Sequence, residues 1–137
     1  MSKPKVVVYH GPPCCGKTQK AVFPLIEAKI EYDFQCFDYG QKLCPKEYKN
    51  ETILVMENFD GSQIEFDSLI RILKGDKFYL GRMSYHYAHV TKIIITTPTF
   101  PSDWYRDMRP RDHEELKELL GEIIEMKLDS PPVFGEK

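Results

Sequence analysis

Three stretches of this sequence leave little choice of fold: "KVVVYH" (residues 5–10), "TILVMENF" (52–59) and "TKIIITT" (91–97). Each is short and β-prone, and the apolar centre of each is not interrupted by polar residues. A strand with one wet face alternates apolar and polar side chains, because successive residues point to opposite sides. A strand that is apolar throughout is covered on both faces, as in a parallel sheet. Between these runs the pattern turns helical. In "QIEFDSLIRILKGD" the residues Phe66, Leu69, Ile70 and Leu73 fall on one helical face, and Gly75 supplies the stop. Alternating strand-like and helix-like segments predict an α/β fold, with a mostly parallel central sheet flanked by helices. A chain of 137 residues suffices for one such domain.

The remaining segments complete the expected order. A helix is predicted from Gly16 through "KTQKAVFPLIEAKIEY", kinked or split at Pro24, which lacks an amide donor. "DFQCFDYG" (33–40) reads as a second strand, followed by a polar loop. The aromatic segment "KFYLGRMSYHYAHV" (77–90) reads as a β-hairpin insertion. A last helix is predicted over "RDHEELKELLGEIIEMKL" (111–128), with Leu116, Leu119, Leu120, Ile123 and Ile124 on one face. The expected domain is 1–128, and 129–137 is expected to be a frayed tail.

Charge and cysteine usage narrow the partners. The formal net charge is −2, so no global basic field gathers nucleic acid, and any such contact must come from a local patch or from several subunits together. Cysteines 14, 15, 36 and 44 form no C-x-x-C pair and read as free thiols in a reducing compartment. A zinc site from these and His10, His86, His89 and His113 lacks ligand spacing. The first residues make neither a signal peptide nor a membrane span. The expected location is therefore the cytoplasm or nucleus, without a membrane partner.

The chemistry concentrates in "GPPCCGKT" (11–18), which satisfies G-x-x-x-x-G-K-[ST] between a predicted strand and a predicted helix. In such a loop, successive N–H groups and the helix N-terminus point at phosphate oxygens. Gly11, Pro12, Pro13, Cys14, Cys15 and Gly16 form the cradle. Gly16 permits close backbone approach, and Cys14 and Cys15 act as small fillers. Lys17 is expected on the β/γ-phosphates of ATP, and the Thr18 hydroxyl on Mg²⁺. The first acidic residue to end a buried strand after this loop is Glu57, a second candidate for the metal or its water. Asn58 follows, pointing to the opposite face because side chains alternate along a strand, and carries an amide where a charge would polarise water. Asp60, two residues on, and Asp38, ending the preceding strand, are further candidates.

Taken in order, these parts resemble the superfamily 3 helicase (ATPase) domain of replication-initiator (Rep) proteins from circular Rep-encoding single-stranded DNA viruses and related plasmids. "GPPCCGKT" matches that family's Walker A and "ILVMENF" is similar to its Walker B. "SQIEFDSLIRIL" is similar to the amphipathic helix that follows. "LGRMSYHYAHVTKIIITT" resembles the basic–aromatic B′ stretch leading into motif C, and "PSDWY" (101–105) matches the segment after it. The resemblance spans about residues 5 to 126. It implies a P-loop ATPase core that binds Mg²⁺ and ATP and works as a homo-oligomeric ring, expected to be a hexamer. It also implies hairpins that grip single-stranded DNA, with Arg82, Tyr85 and His86 as the DNA-binding residues. Aromatics in such a hairpin also pack cores, and both readings stay open for individual residues.

Three features depart from the family. Asn58 replaces the second Walker B acid, and Pro98 falls where motif C ends in asparagine. The arginine pair would fall near Glu118 and Leu119, with Arg106, Arg109 and Arg111 lying upstream. Thr96 and Thr97 are the nearby hydroxyls that could stand in for the asparagine. Glu57, Asn58 and Lys17 are the expected catalytic residues, and fast turnover is the expectation most exposed to these departures. The nuclease and helical collar of a complete initiator are not found, so an excised helicase domain or a natural stand-alone fragment is expected, the early Walker A favouring excision. Two alternatives compete with an active helicase. One is a degenerate module that binds nucleotide and DNA with slow or no hydrolysis. The other is a small-molecule kinase, for which only "RDMRPR" offers an arginine lid.

Overall fold

The computed structural model describes residues 3–12, 16–38 and 41–126. In chain order the elements are β1 (Lys5–His10), α1 (Lys17–Glu27), β2 (Asp33–Cys36), β3 (Ile53–Glu57), α2 (Phe66–Lys74), β4 (Phe78–Leu80), β5 (Met83–Tyr85), β6 (Lys92–Thr97), α3 (Pro110–Leu119) and β7 (Glu122–Glu125). Five strands form one sheet in the order β2-β3-β6-β1-β7, and every neighbouring pair is parallel. The fold is thus α/β, with a parallel sheet flanked by helices. The hairpin β4–β5 is separate and antiparallel.

The three apolar runs form β1, β3 and β6, the middle of the sheet. Their period-two alternation divides the core. Ile53, Val55 and Ile94 meet Ala21, Val22 and Leu25 of α1 on one face. Val6, Val8, Leu54, Met56, Ile93 and Ile95 meet α2, α3 and the hairpin on the other. Val8, Leu54, Met56, Ile93 and Ile95 are fully buried, and each contributes on the order of 1.5–3 kcal/mol through its apolar area.

The first helix is shorter than the sequence suggests, and Pro24 neither splits nor ends it. Pro24 is exposed, so water can serve the Lys20 carbonyl that its missing N–H leaves unpaired. The helix stops instead at a left-handed Lys29, with φ 58. Lys29 N–H donates to Ile26 O, and Ile30 N–H donates to Leu25 O at 2.9 Å. This is the paired closure usually built on glycine, and no glycine announces it here. Strand β2 ends at Cys36, and Tyr39 and Gly40 of the expected strand lie outside the described residues.

The predicted last helix is half helix and half strand. After α3, Leu120 turns to an extended conformation at φ −82, ψ 108. Glu122–Glu125 then pair with β1, so Ile123 and Ile124 belong to an edge strand and not to the helical face. Gly121 makes the join possible, since a Cβ there would sit 2.8 Å from Val6 O. The open edge of β1, not local periodicity, decides this segment. The expected tail, 129–137, lies outside the described residues. Among those described, no helix is long and apolar enough to cross a membrane.

A helix and a strand at residue 121 predict opposite signs for one substitution. In a helix Gly121→Ala would stabilise by about 1 kcal/mol. Here it should destabilise by about 1–3 kcal/mol, because the methyl group must part β7 from β1. Thermal or urea denaturation of the variant reads the sign.

Candidate functional site

Because the five strands are parallel, their carboxyl ends share one edge, where α/β proteins bind ligands. Gly11 follows β1, Asp38 follows β2, Glu57 closes β3, and Thr96 and Thr97 close β6. The N-terminus of α1 opens at this edge from Gly16, whose φ of 87 is left-handed. That backbone conformation, more than lack of space, accounts for glycine at this position.

Lys17 Nζ donates to Gly11 O at 2.7 Å and to Pro12 O at 2.8 Å, which holds the ammonium over the start of the loop. Pro13, Cys14 and Cys15 lie outside the described residues. Thr18 Oγ1 donates to Glu57 Oε2 at 2.8 Å, across 39 positions of sequence. The pairing follows from strand alternation. Glu57 shares a face with Ile53 and Val55, the face covered by α1, so its carboxylate meets the first turn of that helix.

Two oxygens so placed suit a divalent cation. Adjacent ligands of an octahedral Mg²⁺ site, each at 2.0–2.1 Å, lie about 2.9 Å apart. Mg²⁺ at phosphate sites commonly takes only one or two protein ligands, with phosphate and water completing the shell. Among the described residues, no three His, Cys, Asp or Glu side chains converge as a metal-holding group. Thr18 Oγ1 and Glu57 Oε2 are a two-oxygen donor set, of the kind Mg²⁺ takes beside phosphates.

Asn58 does not continue the strand alternation to the opposite face, because β3 ends one residue earlier. Its φ is 64, a left-handed conformation that asparagine tolerates better than most residues. The turn sends its N–H to Thr96 Oγ1 at 2.9 Å, and its Nδ2 to Asp38 Oδ1 at 2.8 Å. Asp38 is thereby drawn to the site. Asp60 is not: its Oδ1 accepts the N–H and hydroxyl of Ser62, and it shapes its own exposed turn. Cys36, which pairs in register with Glu57, is a neighbour the sequence reading passed over. Burial pushes its thiol pKa up, and the carboxylates of Asp38 and Glu57 add to the shift.

The two threonines of β6 part company. Thr96 lies on the Glu57 face. Thr97 lies on the other, where its hydroxyl accepts Trp104 Nε1–H at 3.1 Å and Thr99 N–H at 3.2 Å. It also donates to Thr99 O at 3.1 Å. Thr97 is thus occupied in the core and does not reach the site.

"PSDWY" proves to be a clamp on the loop after β3. Trp104 meets the fully buried Phe59 edge-to-face at 4.7 Å. Tyr105 donates to Ile64 O at 2.6 Å and packs on Phe66. Its phenol pKa is pushed well up, first by burial and then by Asp60. Gly61, at φ 96, passes so close that a Cβ would lie only 2.2 Å from Trp104 O. The sequence signal for this clamp was a glycine in the loop and a lone tryptophan downstream, which no local pattern connects.

The three expected DNA-binding residues have different surroundings. Arg82 sits exposed in the hairpin turn. Tyr85 is half-buried against Phe78, and His86 is exposed with Nε2 2.9 Å from Gly75 O. Tyr87 is buried, stacked on Phe78 with centroids 5.4 Å apart. Hairpin aromatics therefore serve the core at 85 and 87, whereas Arg82 and His86 are exposed. Pro98 is exposed directly after β6, Glu118 is exposed and Leu119 is buried. Arg106, Arg109 and Arg111 are exposed, with Arg106 4.0 Å from Asp103 and Arg109 3.7 Å from Asp112.

No protein-family model matches the chain, and no curated protein matches it in sequence.

Thr97→Val should leave the Trp104 N–H buried without its acceptor, at a cost of about 1–3 kcal/mol. Thr97→Ser should recover most of the loss. Chemical denaturation of the two variants against the parent checks both.

Proposed function

We propose that the chain is a P-loop nucleoside triphosphatase of the superfamily 3 helicase kind, binding ATP with Mg²⁺ and acting on single-stranded DNA as a ring. The observation that carries the reading is the 2.8 Å contact between Thr18 Oγ1 and Glu57 Oε2 at the mouth of the Gly11 loop. A chance G-x-x-x-x-G-K-[ST] match would have no reason to meet the acidic end of another strand.

In this reading the chain's residues divide the work. Backbone N–H groups at the start of α1 and the Lys17 ammonium hold the phosphates, where helix dipole and charge both favour anions. Thr18 and Glu57 would hold Mg²⁺, which supplies charge neutralisation on the phosphates when bound. Catalysis would then be mainly electrostatic, through preorganised donors facing the γ-phosphate. Arg82 provides a phosphate contact for a nucleic-acid strand, and the hairpin aromatics keep the turn rigid.

A second reading, nucleotide binding with little or no turnover, has its own support. The Asn58 amide is engaged by Asp38, Thr97 is turned away, and residue 98 is proline. The two readings share their binding predictions and separate at hydrolysis.

Lys17→Ala should weaken ATP binding at least tenfold, measured by titration with a fluorescent ATP analogue. Thr18→Ala should reduce the Mg²⁺ dependence of that binding. Unchanged affinity in Lys17→Ala would remove the basis for the assignment. Arg82→Ala should lower affinity for a single-stranded oligonucleotide. The slope of log affinity against log salt should fall by about 0.7, as for one lost phosphate contact.

A further inference from the structure

We propose that Asp38 is the catalytic carboxylate that orients the attacking water and takes its proton, and that Asn58 is the residue that positions it. The proposal rests on the nucleotide-hydrolase reading above.

The geometry begins with the β3 terminus. Asn58 is held by two hydrogen bonds at once, N–H to Thr96 Oγ1 and Nδ2 to Asp38 Oδ1. A carboxylate only accepts, so the amide must present its NH₂ side to Asp38. Asp38 is half-buried and follows β2, the strand hydrogen-bonded to β3. Cys36 on that strand pairs in register with Glu57, and Asp38 lies two residues beyond it. Glu57 and Asp38 thus flank one small region at the carboxyl edge. Glu57 reaches toward Thr18, and Asp38 is tethered through the next residue.

This arrangement gives the amide a purpose. A second acid at residue 58 would place two carboxylates within about 3 Å of each other, where like charges resist joint ionisation. An asparagine donates a hydrogen bond to Asp38 instead. The acidic function absent from the end of β3 is supplied from the end of β2.

The step balances as follows. The water oxygen forms a bond to the γ-phosphorus, and the bond from that phosphorus to the β,γ-bridging oxygen breaks. Its electron pair leaves with the nucleoside diphosphate. One water proton passes to the Asp38 carboxylate and then to the released phosphate or solvent, which restores the carboxylate.

The test uses the whole chain, γ-labelled ATP with Mg²⁺, and two readouts: equilibrium nucleotide affinity and single-turnover hydrolysis. Asp38→Asn should bind ATP within threefold of the parent and hydrolyse it about a hundredfold or more slowly, the scale of a lost general base. Asn58→Ala, which removes only the tether, should slow hydrolysis about tenfold with affinity kept. The double variant should be no slower than Asp38→Asn alone. Parent-like hydrolysis by Asp38→Asn overturns the proposal. If Asp38→Asn fails to fold, Asn58→Ala decides, and a parent-like rate in it overturns the proposal equally. A parent chain that binds ATP without any turnover also overturns it and leaves the binding-only reading. A parent chain that does not bind ATP removes the nucleotide reading itself, and the proposal with it.

Discussion

Parallel pairing of β1, β3 and β6 is the constraint from which the rest follows. It requires both faces to be covered, which fixes where α1, α2 and α3 must lie. It also sends every strand's carboxyl end to one edge, so residues far apart in sequence become neighbours there. His10 and Thr97 pair in one register, and Cys36 and Glu57 in another. The candidate site is brought together largely by strand register.

Alternation along the strands then sorts candidate-site side chains from core ones at the same height. Glu57 and Thr96 face α1 and the site. Thr97, one residue on, faces the second core and is used to anchor Trp104. That anchor holds Phe59 and the Gly61 turn, which set the exit direction of the chain after Glu57. The tryptophan thereby constrains a site it does not touch. The left-handed Asn58 is the pivot of this exit, and its two hydrogen bonds reach Thr96 of β6 and Asp38 just past the end of β2.

Much of the fold was legible because it rests on local signals. The continuous apolar runs marked the central strands, and the spacing of Phe66, Leu69, Ile70 and Leu73 marked α2. Two features were not legible, for different physical reasons. The "GEIIE" segment suits a helix or a strand locally, and only the free edge of β1 resolves it. The stop of α1 at Lys29 uses a left-handed residue with a side chain, which propensity alone disfavours. In the site, Lys17, Thr18 and Glu57 could be named from motif and strand end. The Asp38 tether could not, since it depends on which strand lies beside β3.

By itself, then, the sequence determined the α/β class, the central strands, and a glycine–lysine–threonine loop suited to phosphate, because these are written in periodicity and short-range backbone chemistry. Only the tertiary structure decided that β7 closes the sheet, that Thr96 and not Thr97 reaches the site, and that Asn58 turns to Asp38. Each of those outcomes depends on strand order and register, which are set by contacts between residues that no local pattern connects.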